Sequence, residues 1–178
     1  MRLVNPVLSA NFSPTAFSSL SLCVHRGYAV VNALMDQHDM FKWIVGKELY
    51  PELKNIAVQT EMRRMVEKGF CGMQCSPELN HQKNCHHLEV FNDSLVMTVS
   101  QVKISGSMPR HAVYRAKHCD GNQVTMYELF GLHDVYDETE VTNRYYCLLT
   151  HGSFGSEISA PGFIHIGVPA QGEKGWIE

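Results

Sequence analysis

The patterning of this chain predicts an α+β fold, with N-terminal helices packed on a mainly antiparallel C-terminal sheet. Three observations carry that expectation. Apolar residues recur at helical spacing between Val30 and Val66. Beyond residue 87 the period changes to two, with Leu95, Met97 and Val99 alternating with Val96, Thr98 and Ser100. The 178 residues are 44% hydrophobic, which suits a single domain, 1–178, with one sizeable core.

Residues 1–27 are rich in Ser and scattered with Pro, and read as an irregular arm. The helical part spans 28–69. Val30, Leu34, Phe41, Ile44, Val45 and Leu49 give one apolar face, interrupted by the polar stretch 36–39, where Asp39 is a candidate cap. Pro51 is suited to the first turn of a second helix. Leu53, Ile56, Ala57, Met65 and Val66 mark its apolar face, and Gly69 its end. A Cys/His segment covers 70–87.

The strand-rich part covers 88–178. Strands are expected at 88–91 and 95–103, with Asn92-Asp93 as the turn between them. Ser107-Met108-Pro109 reads as a cap followed by a helix through about His118. The competing reading makes 112–118 a strand, paired through Asp120-Gly121 with the next. Residues 124–131, 144–150 and 162–168 are further strand candidates.

Fifteen Lys and Arg stand against 18 Asp and Glu, a net charge of −3, which is not the balance of a strongly basic nucleic-acid binder. Six cysteines in a chain of this length are too sparse for a disulfide scaffold, so reduced thiols and a cytoplasmic location are expected. No apolar run approaches the ~20 residues of a membrane span, and Asn5, Pro6, Asn11 and Pro14 break up the N-terminal stretch where a signal peptide needs an apolar centre.

The densest chemistry lies at Cys71, Cys75, His81, Cys85, His86 and His87. Zinc takes four Cys and His ligands, so Cys71, Cys75, Cys85 and His87 form a candidate structural zinc site, with His81 or His86 as substitutes. The competing reading is a His-rich loop with half-buried cysteines acting as small hydrophobes. His87-Leu88-Glu89 matches the His-x-Glu element of zinc nucleobase deaminases. The Pro-Cys-x-x-Cys that should follow is missing, so that reading fails.

Two further sets complete the candidates. Arg110, Arg115 and Lys117 form the clearest basic segment and suit a phosphate or an acidic surface, the competing reading being a solvated helix face. Glu89, Asp93 and Lys103 resemble the acid and acid-x-Lys pattern of metal-dependent nucleases, with Gln101 standing where a carboxylate is needed. The glycine-serine loop 150–156 and the acidic connection at Asp134, Asp137, Glu138 and Glu140 carry no complete motif.

The functional expectation is a non-catalytic binding or regulatory protein, of the kind found among bacterial and phage accessory factors, contacting a protein or nucleic-acid partner. The alternative is a divalent-metal-dependent hydrolase of nuclease type using Glu89, Asp93 and Lys103.

Overall fold

The computed structural model describes residues 6–129, 144–155 and 159–177. The fold is α+β: N-terminal helices and a six-stranded, mainly antiparallel sheet on the C-terminal side. Helix α1 spans Pro6–Asn11 and α2 spans Pro14–Gln37. A 3₁₀ turn at Asp39–Phe41 and the one-turn helix α3, Ile44–Lys47, lead into α4, Tyr50–Glu67.

The expected irregular arm over 1–27 is therefore corrected: from residue 6 onward it is largely helical. Ser13 caps α2, its hydroxyl accepting from the Ala16 amide at 3.2 Å, and Pro14 supplies a first-turn φ. Ala16, Leu20, Cys23, Val24, Tyr28, Val31 and Met35 then fall on one buried face. Gly27 marks a close approach to α4, since a Cβ there would lie 2.8 Å from the Val58 amide nitrogen. Gly69, with φ of 88°, terminates α4 as expected.

The strands run β1 Gln74–Leu79, β2 His86–Phe91, β3 Leu95–Gln101, β4 Tyr145–Gly152, β5 Phe163–Pro169 and β6 Trp176–Ile177, adjacent in that order. The expected turn at 92–93 is present: Asn92 Oδ1 accepts from the Ser94 and Leu95 amides at 2.9 and 2.8 Å. Four of the five strand pairings are antiparallel. The exception is β3 with β4, which are parallel and joined by a connection containing α5, Val113–Leu129.

Helix α5 settles two readings. Residues 113–118 are helical, although the helix begins at Val113 rather than after Pro109. Residues 124–129, expected as a strand, continue the same helix, and Asp120-Gly121 lies inside it. The local strand preference of Val124, Thr125 and Tyr127 does not prevail there.

Alternation splits the sheet's side chains between two covers. Leu95, Met97, Val99, Cys147 and Leu149 join the large core under α2 and α4. Val96, Tyr146 and Leu148 pack with Cys119 of α5 on the opposite face. β3 and β4 are therefore buried on both sides, as a parallel pair with a helical crossover requires. Among the described residues, no helix is long and apolar enough to cross a membrane.

Candidate functional site

The structure separates the four residues of the zinc expectation. Cys71 is exposed in a 3₁₀ turn and has φ of 50°. Cys75 pairs with Val90 and packs on the α2/α4 core, whereas His87 meets Tyr114 of α5, so the two lie on opposite faces of the sheet. Cys85 is exposed near the closed end of the β1–β2 hairpin. That end lies four residues beyond Cys75, roughly 13 Å at the usual strand rise. His81 and His86 are also exposed at that end. Among the described residues, no group of three or more His, Cys, Asp or Glu side chains is arranged to hold a metal ion.

Glu89, Asp93 and Lys103 are likewise dispersed. Asp93 is exposed in the β2–β3 turn, and Lys103 is exposed beyond the opposite end of β3. The seven-residue strand between them spans roughly 23 Å. Glu89 faces α5 and is already engaged by two imidazoles. Its Oε1 lies 2.9 Å from His118 Nε2 and 3.2 Å from His87 Nε2. Burial works to raise its pKa. The hydrogen bonds and charges of His118 and His87 outweigh that and hold the carboxyl at about 2.

Aromatic rings back both imidazoles. Tyr114 stacks on His87 with centroids 3.7 Å apart, and Tyr146 stacks on His118 at 5.0 Å. Thr98 fixes the Tyr146 hydroxyl at 2.6 Å. A carboxylate that orients an imidazole can prepare a general base, but such a base needs a group to activate. The adjacent thiol, Cys119, is fully buried, and burial pushes its pKa up to about 12. This arrangement acts as a latch between β2 and α5.

The basic segment divides in the same region. Arg110 and Lys117 are exposed. Arg115 is corrected: its side chain is 6% exposed and turned inward. Its Nε donates to Glu173 Oε1 at 2.7 Å, and its Nη1 donates to the Ser100 hydroxyl at 3.3 Å and to the Tyr114 hydroxyl at 3.1 Å. Another guanidinium nitrogen donates to the Arg110 carbonyl. Glu173 has φ of 56°, an unfavourable conformation for a non-glycine residue, and its bonds to Arg115 and to His111 at 2.7 Å offset that cost. Arg115 is thus an anchor, held by a residue far away in sequence that composition gave no reason to pair with it.

Beneath the opposite face lies a second polar group. The Tyr28 hydroxyl and His151 Nδ1 are 3.1 Å apart, and Lys54 Nζ sits 4.4 Å from the Tyr28 ring centre. Burial, and then the Lys54 charge, lower the His151 pKa to about 4, so the ring is neutral near pH 7.

The feature that sequence reasoning misassigned lies in 40–56. Phe41, Ile44, Val45 and Leu49 were expected to turn an apolar face into the core. Instead Met40, Trp43 and Ile44 are 64, 67 and 71% exposed, and Val45, Leu49 and Ile56 are also exposed. The cause is local. Gly46 is buried against the preceding turn, where a Cβ would lie 2.1 Å from the Met40 carbonyl oxygen. The chain folds tightly back on itself there and directs its large side chains outward. Leu49, Leu53 and Ile56, spaced i, i+4 and i+7, extend the apolar stripe along α4.

Charge surrounds this stripe unevenly. Asp36, Asp39, Glu48 and Glu52 are exposed, against Lys42 and Lys47. Lys42 and Asp39 pair with each other at 2.6 Å, which leaves Asp36, Glu48 and Glu52 against Lys47. No protein-family model, curated protein or solved structure matches the chain at a significant level.

Proposed function

We propose that this chain is a non-catalytic binding protein that docks a partner protein through the apolar surface of 40–56. The exposure of Met40, Trp43, Ile44, Val45, Leu49 and Ile56 in one short stretch is the observation that carries this reading. Exposed apolar patches rimmed by polar residues mark interaction sites, and Trp and Met are enriched at their centres. The acid-rich rim suits a partner whose apolar face is flanked by Lys or Arg. It disfavours a second copy of this chain, because acidic rims would meet.

Two further observations support binding to a protein over nuclease action or nucleic-acid binding. Glu89, Asp93 and Lys103 share no cleft. The basic segment keeps only Arg110 and Lys117 facing solvent, because Arg115 is committed to Glu173.

Calorimetric titration with two amphipathic helical peptides tests the proposal, one built from Leu and Lys and its twin from Leu and Glu. The Leu/Lys peptide should bind saturably and the Leu/Glu peptide weakly or not at all. Trp43→Ala should weaken the Leu/Lys complex about 30-fold, the loss typical of a central aromatic anchor. Equal binding of both peptides, indifference to Trp43→Ala, or a stable homodimer occupying the surface would overturn the reading.

A further inference from the structure

The far end of the α2–α4 pair carries a different kind of surface. Where α2 residues 19–26 run alongside α4 and the turn after it, a half-open groove of about 390 Å³ lies between the helices. Its base is apolar. Cys23 and Phe70 are buried there, and Met65 is half-buried, with its sulfur 3.5 Å from Cys23 Sγ. Leu22 forms a wall and is exposed despite being large and apolar.

The groove's charge has one sign in excess. Arg26, Arg64 and Lys68 surround it, and Glu61 is its carboxylate. Glu61 is already spent on Arg64, at 2.6 Å. Arg26 and Lys68 make no ion pair among the described residues. Two exposed cations therefore stand over an apolar trough whose volume falls in the usual range for small-molecule sites. Methionine along the floor adapts readily to an unbranched chain.

We propose that this groove binds a small amphipathic anion, a carboxylate or similar headgroup on an unbranched apolar chain. The headgroup meets one of the two rim cations, Arg26 at one end of the groove or Lys68 at the other, and the chain lies along Leu22 and Met65 between them. This site is separate from the docking surface, which occupies the opposite end of the same helix pair.

Backbone amide NMR of the full chain, titrated below the micelle concentration, tests the proposal with three probes: decanoate, decanol and decyltrimethylammonium. Decanoate should give saturable shifts at Leu22, Cys23, Met65 and Gly69. It should bind about tenfold more tightly than decanol, the gain expected of one well-placed charge contact, and decyltrimethylammonium should bind more weakly still. Arg26→Gln with Lys68→Gln should abolish the preference for decanoate over decanol. Both residues are exposed, so the fold should persist, which circular dichroism checks. Leu22→Ser should weaken both ligands while keeping the preference. No saturable shift, equal affinity for all three probes, or shifts confined to 40–56 would overturn the proposal. So would a groove that ignores decanoate but binds an acidic peptide.

Discussion

His151 shows how burial turns one side chain into a pH-dependent stability element. The folded chain protonates it only near pH 4, while the unfolded chain does so near 6.5. Between those values the unfolded state holds the extra proton, so stability is full above about pH 6.5 and falls as the pH drops towards 4. A displacement of this size corresponds to about 3 kcal/mol. Denaturant unfolding at pH 7 and pH 4.5 should show most of that loss, and His151→Leu should flatten the dependence over this interval. Unchanged acid sensitivity in the variant would place the effect elsewhere. Glu89 acts lower on the scale: its depressed pKa stabilises the fold above about 4.5, and that contribution fades as the pH falls towards 2.

The same residue scale explains why the candidate sites were only partly legible. Cys75 and His87 are close in sequence, but strand alternation sends them to opposite faces. Arg110, Arg115 and Lys117 look alike in sequence, and only the fold brings Glu173 to the middle one.

At the scale of elements, the strands expected at 88–91, 95–103, 144–150 and 162–168 fall on β2, β3, β4 and β5, and the period of two at 95–100 is the clearest of these signals. Helix α2 was misread at its start, although Ser13-Pro14 is a capping signal that could have revealed it. The expected end of α5 at about His118 falls short because Val124, Thr125 and Tyr127 favour strands. The contact between α2 and α4 is testable through Gly27→Ala. The added methyl would press on the Val58 backbone, which cannot rotate away as a side-chain tip can. The expected cost is about 1–3 kcal/mol, read as a lower melting temperature. An unchanged melting temperature would show that the α2–α4 contact gives way to a methyl group without cost. Gly46→Ala should act differently. Its methyl collides with the Met40 carbonyl, so the 40–47 turn must open, but little core depends on it. Amide exchange across 40–49 should accelerate while global stability changes by less than about 1 kcal/mol. A global loss as large as that of Gly27→Ala would mean the turn is part of the core after all.

Across the whole molecule, fold class was the most legible property and function the least. The switch from helical to alternating periodicity is a property of the chain alone. The proposed docking rests on which apolar residues the folded chain leaves uncovered, and the helical spacing of Phe41, Ile44, Val45 and Leu49 reads the same whether they face a core or solvent. With that surface in place, the helix pair carries an acid-rimmed apolar patch at one end and a cation-rimmed groove at the other. Trp43 reports directly on the first. In Trp176→Phe protein it is the sole tryptophan, so acrylamide quenching measures its accessibility alone. Trp43 should quench freely in the unbound chain at every protein concentration, and become shielded when the Leu/Lys peptide is added but not when the Leu/Glu peptide is. A Trp43 already shielded in the free chain, or one left open under saturating Leu/Lys peptide, would contradict the assignment of 40–56 as a docking surface.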